Sequence, residues 1–522
     1  MGARLRWLTL AAAATAAFVL PASALGARIE PFETRTAGGL ALRGHVHLPD
    51  GPGPFATVLD FSPYWNGPAY MASDQPASPD TVGMRFLLDA GFAVALVNMR
   101  GTGISQGCTS FGHPIEWQDA GAVVEELAGR PWSNGRIGMY GISFDGWSQW
   151  MAVAEPPSAL KAVVPVSAVI DLWSLLTRRG APIHEGPLVP QAWWALTSLS
   201  SAPPDPGHAR CLSEQGENTG AALDLVRTGD HGPYFDVRDL RPHIRDSSVP
   251  ALVSNGFEYF GEGHVLQYEG LWYLLRPGLT HFVLGQWGHD FPTDHKPDWS
   301  EQVVGWFDHY LRGGERTVAT GVVEYQDASG AWHTADRWPP PATPTTLHLA
   351  GDALRPNPPA VRRSRSFLSV PGLDAAWWCG PQQVLYVSPP LAEDVVVAGN
   401  LGFDLEVTSS APGGNLVAVL RHTAGDGSCD ELISGAADVG RAMLDLRHWA
   451  SPGASRTFPV NRATRVDVAG QPSAVRIPRG HRLVLGVSGG AIELEPDPLH
   501  PLLSIGGGSL RIPVVEGQLR FR

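Results

Sequence analysis

Short, nearly unbroken apolar runs recur along the first part of the chain, each leading through a loop into a stretch with helical spacing. Phe55 to Phe61, Phe92 to Asn98, Arg136 to Tyr140, Ala162 to Val166, Val249 to Asn255 and Thr280 to Gly285 read as buried strands. Helices are predicted around Thr81 to Ala90, from Trp117 to Gly129, over Trp147 to Ala152, and from Ser300 to Leu311. Asp298 is the expected N-cap of the last of these, and Arg312-Gly313-Gly314 its stop. Strands without an exposed polar face, alternating with helices, predict a mainly parallel sheet covered on both sides.

The rhythm breaks twice. Between about Ala168 and Asp246 the chain is richer in Trp, Pro, Ser and His, with helical stretches around Trp173 and Trp193-Trp194. An insertion there, between two strands, is expected to form a helical cap that excludes water and shapes a substrate pocket. Beyond Thr317 helical spacing fades. Val322 to Tyr325, Thr346 to Leu349, Phe403 to Val407, Leu416 to Leu420 and Leu483 to Val487 are short strands between Gly, Pro and Ser clusters, the pattern of a β-sandwich. Trp338-Pro339-Pro340-Pro341 reads as a stiff connection. The expected organisation is residues 28–167 and 247–316 as the two parts of an α/β domain, 168–246 as the cap, and 317–522 as the β domain.

With 522 residues, more than one domain is required. The 60 glycines, 46 prolines and 18 tryptophans fit a loop-rich chain with much β structure. Residues 1–26 have the pattern of a signal peptide: Arg4 and Arg6, an apolar stretch from Leu8 to Leu20, and a small-residue site at Ala22-Ser23-Ala24 or Ala24-Leu25-Gly26. A secreted or periplasmic protein is therefore expected, with the export route open because Leu5 separates the two arginines. No membrane span is expected. Formal charge is −13, and without a basic stripe nucleic acid is excluded as a partner. Cys108, Cys211, Cys379 and Cys429 are an even set that permits two disulfides. The pairing Cys108–Cys211 with Cys379–Cys429 keeps each bridge on one side of the domain boundary. Neither metal nor cofactor is implied, since no Cys-x-x-Cys or clustered His pair occurs.

The candidate chemistry centres on Gly141-Ile142-Ser143-Phe144-Asp145-Gly146. A strand before it and a helix after it put Ser143 on a sharp turn that lifts its hydroxyl clear of the sheet, with small residues wanted on both sides. The Phe144 N–H then faces a developing oxyanion at a helix N-terminus. In a parallel sheet the loops at the strand C-termini converge, and three of them carry Ser143, Glu258 and His289 in that order. A serine hydroxyl needs a histidine to take its proton and a carboxylate to orient the imidazole, so nucleophile, acid and base in this order read as an α/β-hydrolase triad. Tyr64, on a fourth loop, is a second oxyanion donor. Asp145 reads as a carboxylate complementing the helix dipole.

These residues resemble the serine hydrolase family that contains bacterial cocaine esterase, X-Pro dipeptidyl-peptidases and α-amino-acid ester hydrolases. The resemblance rests on Pro63-Tyr64, Arg100-Gly101-Thr102-Gly103, Pro131-Trp132-Ser133-Asn134-Gly135, the Ser143 turn, Gly285-Gln286-Trp287-Gly288-His289, Trp306 to Gly313, Trp338-Pro339-Pro340 and Gly480-His481-Arg482-Leu483. It implies an α/β-hydrolase domain with a helical cap and a C-terminal jelly-roll domain, with Ser143 as nucleophile, His289 as base and Tyr64 as oxyanion donor. The acid departs from the pattern. The family places Asp two residues after the aromatic of a Gly-aromatic pair, whereas Gly256-Phe257 is followed here by Glu258-Tyr259. Glu258 is one residue early, and Glu262 and Asp290 are the alternatives.

The expected reaction is hydrolysis of a small ester or short peptide through an acyl-enzyme, with carboxylic ester hydrolysis favoured because it asks least of the site. An X-Pro dipeptidyl-peptidase or α-amino-acid ester hydrolase is the alternative, and would need carboxylates such as Glu185 to hold an α-ammonium. The alternative from another class is a non-catalytic exported binding protein on a degenerate hydrolase scaffold. Oligomeric state is not written in the sequence.

Overall fold

The computed structural model describes residues 28–65, 78–183, 208–258, 270–370, 380–428, 431–432, 435–491 and 493–522. The signal peptide, Trp193-Trp194, Glu185, Glu262 and the Cys379–Cys429 pairing lie outside these residues.

Two sheets, each of ten strands among the described residues, organise the chain. The first begins with β1 (Arg28–Arg35) and β2 (Ala41–Leu48), an antiparallel pair at the edge, followed by β3 (Phe55–Ser62), β4 (Ala93–Asn98), β5 (Ser133–Ile142) and β6 (Leu160–Val166). A two-strand ribbon, β7 (Thr177–Arg178) and β8 (Ala181–Pro182), lies off it in the cap. β9 (Ala251–Gly256), β10 (Thr280–Gly285), β11 (Val322–Gln326) and β12 (Trp332–Ala335) complete the order β1-β2-β4-β3-β5-β6-β9-β10-β11-β12. From β4 through β11 every pairing is parallel. The apolar runs are unbroken because both faces are covered. Leu59, Phe61, Met139 and Val163 pack on one face against Trp117, Val123, Trp150 and Met151. Their neighbours Val58, Tyr140, Val164 and Leu252 face Leu87, Trp299, Val303 and Trp306 on the other, as the two-residue period of a strand requires.

Those covering side chains come from α1 (Arg85–Asp89), α2 (Pro114–Ala128) and α3 (Phe144–Ala154), with α4 (Leu172–Leu176), α5 (His208–Thr228), α6 (Pro233–Asp236), α7 (Arg241–Ile244) and α8 (Leu271–Leu274) following, and α9 (Trp299–Phe307) last. The helix expected from Thr81 starts later, because Gly83 sits at φ 69°. Asp298 precedes α9 but makes no side-chain cap; its carboxylate instead accepts from Lys296 Nζ and Gln302 Nε2. α9 runs into a π-helical turn, Asp308–Arg312, and stops at Gly313 in the left-handed region (φ 76°), the conformation glycine adopts without Cβ strain.

Val322 to Tyr325, expected in the β domain, pairs instead with β10. Sheet membership therefore changes between Ala335 and Thr343. Trp338 marks the crossing, stacked on Phe257 at 5.4 Å and edge-on to Tyr325 at 5.6 Å.

The second sheet comprises β13 (Thr343–Ala350), β14 (Ala353–Arg355), β15 (Arg365–Leu368), β16 (Gln383–Val387), β17 (Val395–Ser409), β18 (Asn415–Thr423), β19 (Ala437–Asp445), β20 (Thr464–Ile477), β21 (Arg482–Ser488) and β22 (Leu502–Glu516). Its end strands β19 and β20 meet, with Ser473 Oγ donating to Val439 O at 2.6 Å. The nearly closed sheet is a β-sandwich around Leu347, Phe403, Leu405, Leu420, Leu485 and Ile512.

The cap is anchored on both sides. Cys108, in the loop after β4, is bridged to Cys211 of α5, as the sequence led us to expect. Buried Arg238 donates from Nε to Phe111 O at 3.1 Å and from Nη2 to Ser110 O at 3.2 Å. On the β-domain side, the end of α5 meets His448, whose Nε2 lies 2.9 Å from Thr228 O.

Candidate active site

β5 delivers Ser143 to the turn. Its amide donates to Val166 O of β6 at 3.0 Å and its carbonyl accepts from Trp147 N at 2.8 Å, so the sheet and α3 fix it from opposite sides. The backbone is held at φ 64°, ψ −121°, a conformation that costs a non-glycine residue of order 1–3 kcal/mol. The flanking glycines are steric requirements. A Cβ on Gly141 would stand 2.6 Å from Asp145 Cβ, and one on Gly146 would stand 2.7 Å from Ala168 Cβ and 2.8 Å from Val166 O.

Tyr64 reaches the same point from the loop after β3. Its hydroxyl donates to Ser143 Oγ at 3.3 Å and lies within reach of the Phe144 N–H. The two expected oxyanion donors and the serine oxygen thus meet in one place. Burial, then the nearby Asp145 carboxyl, pushes the Tyr64 phenol well above its ordinary range, against the opposing hydrogen bonds of Ser143 and Phe144. The hydroxyl keeps its proton and remains a donor.

The loop carrying Tyr64 is tied from below. Tyr64 N donates to Ser62 Oγ at 3.0 Å, Trp65 Nε1 to Asp60 Oδ2 at 3.0 Å, and Asn98 Nδ2 to Trp65 O. Gly103 lies so close that a Cβ there would meet Asn98 and Trp65 O at 2.5 Å. The Arg100-Gly101-Thr102-Gly103 loop is therefore a prop under the Tyr64 loop. Arg100 itself forms a buried two-point pair with Asp119 of α2, at 2.5 and 2.7 Å.

His289 lies on the loop after β10 with its side chain exposed. The end of β9 is stitched to this loop by Phe257 N to Gly285 O at 2.8 Å and Glu258 N to Trp287 O at 3.1 Å. Among the described residues no hydrogen bond or ion pair joins the Glu258 carboxylate to His289, nor His289 to Ser143 Oγ. Catalytic hydrogen bonds commonly tighten only once substrate is bound. Glu258 is exposed and lines a cleft of about 350 Å³ with Phe257, Gln286, Arg441, Gln471 and Ser473, between the two sheets. Asp290 turns back on its own chain, accepting from Phe291 N at 2.8 Å.

Two buried acids next to the turn were not recognised as a pair in the sequence. Asp60 sits in the middle of β3, and Asp145 is buried in the first turn of α3 rather than merely complementing its dipole. A lone carboxylate inside the apolar run Phe55 to Phe61 was the available signal. Among the described residues no group of His, Cys, Asp and Glu is arranged to hold a metal ion, and no helix is long and apolar enough to cross a membrane.

Comparison with known proteins agrees with this geometry. Residues 38–290 match the family described as X-Pro dipeptidyl-peptidase (S15 family), and residues 317–502 match the X-Pro dipeptidyl-peptidase C-terminal non-catalytic domain. The chain is 26% identical to a putative Xaa-Pro dipeptidyl-peptidase of Streptomyces avermitilis, over 89% of this chain and 78% of the relative. It is 30% identical to the cocaine esterase of a Rhodococcus species, over 60% of each chain. In three dimensions it resembles an α-amino acid ester hydrolase with a TM-score of 0.78 at 18% identity, over 95% of this chain and 98% of the other, a likeness of fold. An α/β-hydrolase sheet with a strained serine at the tip of β5, followed by a β-sandwich domain, places the chain among the serine hydrolases of the X-Pro dipeptidyl-peptidase S15 family, to which it belongs.

Proposed function

We propose that the protein is an exported carboxylic ester hydrolase in which Ser143 is the nucleophile, His289 the general base, and Tyr64 with the Phe144 N–H the oxyanion site. The observation that carries this reading is the Tyr64 hydroxyl 3.3 Å from Ser143 Oγ, on a serine held at φ 64°. In acylation, Ser143 Oγ bonds to the ester carbonyl carbon as its proton passes to His289, and the carbonyl oxygen takes up the charge between Tyr64 and Phe144. The ester C–O bond then breaks and the leaving alkoxide receives the proton from His289. Water repeats the sequence on the acyl-enzyme, releasing the carboxylic acid.

The acid that orients His289 is one of Glu258, Glu262 and Asp290. Glu258 is the expected residue, but its side chain lines the cleft between the sheets. Export is supported by the pattern of residues 1–26 and the Cys108–Cys211 bridge. Ester hydrolysis is favoured over dipeptide release because it asks least of the site, whereas dipeptide release would further need carboxylates such as Glu185 to hold an α-ammonium.

The test is a panel of p-nitrophenyl acetate and butyrate, an α-amino-acid ester and an X-Pro p-nitroanilide, run on wild type, Ser143→Ala, Glu258→Gln and Glu262→Gln. Cleavage of the simple esters, lost by at least about 100-fold in Ser143→Ala, supports the reading, and whichever Gln variant loses comparably identifies the acid. Preference for the X-Pro anilide refutes the ester assignment. A protein that cleaves nothing and takes no fluorophosphonate label at Ser143 refutes the nucleophile as well.

A further inference from the structure

Asp60 and Asp145 are 2% and 3% exposed. Each has one carboxyl oxygen with a partner: Asp60 Oδ2 accepts from Trp65 Nε1 at 3.0 Å, and Asp145 accepts from the Ser62 hydroxyl. The other oxygen of each, Asp60 Oδ1 and Asp145 Oδ1, is buried without a hydrogen-bond partner. Both side chains crowd the slot that Gly141 leaves open, where a Cβ would stand 2.6 Å from Asp145 Cβ and 3.3 Å from Asp60 Oδ1. Among the described residues no Lys, Arg or His pairs with either carboxyl. The described groups facing them are neutral: Ser62 and Tyr64 from the β3 end and its loop, Trp65, and Tyr140 of β5. Two ionised carboxylates with unpartnered oxygens and no counter-ion are not a stable arrangement at such depth. One proton removes the conflict, since a carboxylic acid donates where a carboxylate only accepts.

We propose that Asp60 and Asp145 share one proton through their Oδ1 atoms, and that this acid pair is a positioning device joining the Tyr64 loop to the Ser143 turn and limiting the negative charge beneath the oxyanion site to one. Asp145 holds Ser62, Ser62 Oγ holds the Tyr64 amide, and Asp60 holds the Trp65 indole, so the pair closes a ring between β3 and α3. Burial, followed for Asp145 by the repulsion of Asp60, drives both carboxyls well above the usual carboxylate range, in line with a retained proton. Loss of that proton at alkaline pH would set a second negative charge against the forming oxyanion. Turnover is therefore expected to fall on an alkaline limb by about tenfold or more.

The catalytic consequence rests on the proposed role of Tyr64, whereas the shared proton does not, and the two are read separately. Infrared spectroscopy of the full chain at neutral pH, in H₂O and D₂O, is expected to show a deuterium-sensitive carboxylic acid C=O band that disappears in Asp60→Asn and in Asp145→Asn. Each single variant is expected to fold, because an amide N–H takes the place of the shared proton, and to lose the alkaline limb of kcat on a p-nitrophenyl ester. A wild type without the band, its survival in both variants, or failure of both variants to fold overturns the shared proton. A band that behaves as expected beside an unchanged alkaline limb leaves the proton in place and overturns its link to the oxyanion site.

Discussion

Replacing Tyr64 with Phe removes one oxygen and little else. The ring keeps its edge contact with Trp65, whose centroid lies 6.1 Å away, and the loop keeps its ties from Ser62, Asp60 and Asn98, none of which involves the hydroxyl. The hydroxyl meets Ser143 Oγ and the Phe144 N–H, so its ground-state bonds contribute about 0.5–1.5 kcal/mol each to stability. Its larger effect is on the transition state. With the proposed oxyanion site built from Tyr64 and Phe144, deleting one of two donors costs about 2.7–4 kcal/mol, or 100-fold to 1,000-fold in kcat. KM should change far less, because an ester carbonyl carries little charge before attack. Because burial keeps the phenol protonated, the loss should be the same across the assay range of pH. The assay is kcat and KM for p-nitrophenyl butyrate, with near-ultraviolet circular dichroism to show that the fold is intact. A folded variant whose kcat stays within about threefold of wild type would falsify the assignment of Tyr64.

Three further outcomes follow from the contacts that hold the site. Asp119→Ala leaves the Arg100 guanidinium buried beneath the Tyr64 loop without its two-point partner; thermal unfolding should report a loss of about 3–5 kcal/mol, and a shift of under 1 °C would show that the pair is dispensable. Reducing the Cys108–Cys211 bridge opens a loop of sequence separation 103, which the chain-entropy account values at about 4.7 kcal/mol; reductant, or Cys211→Ser, should lower Tm by several degrees, and equal melting curves would contradict this. Glu324 is held down at about 2 from 4.5 even though burial opposes it, by hydrogen bonds from His281 and Lys296. A lowered carboxylate stabilises the fold above its unfolded pKa and ceases to do so as pH falls towards its folded one, so this contribution, about 1–2 kcal/mol after solvent screening, should fade between pH 4.5 and 2. Glu324→Gln should flatten that part of the Tm profile, and an unchanged profile would locate acid lability elsewhere.

The first sheet was legible because its strands are buried on both faces, which leaves an unbroken apolar signature such as Ala93–Asn98. The serine turn was legible because its glycines are forced: no side chain fits at Gly141 or Gly146. What escaped depends on partners distant in sequence. Val322–Gln326 alternates half-buried and buried positions like a sandwich strand, so local pattern could not say which sheet it joins. Asp298 has the right residue type and place for an N-cap, but Lys296 offers a cationic donor that a backbone amide does not match. The expected acid was least legible: Glu258 stands one residue before the position where the family pattern has its Asp, and its side chain lines the cleft between the sheets.

Asp60 shows why such failures concentrate near the site. A carboxylate inside a strand that is otherwise apolar works against the fold, and a sequence selected for stability alone would carry an apolar residue there. Here the opposing residue is bound into the machinery: Asp60 fixes Trp65, Trp65 O is held by Asn98, and the neighbouring Tyr64 hydroxyl stands over the serine. The strain of Ser143, the steric demand of Gly141 and the burial of two acids fall within a single turn of chain and its neighbour in β3. Each is unfavourable by itself, and the two-faced sheet core holds all of them in place. The local rules of sequence reading therefore fail where packing elsewhere is strong enough to hold unfavourable groups together, and the positions at which they fail around Ser143 are the ones that fix its hydroxyl, the Tyr64 hydroxyl beside it and the two acids buried below.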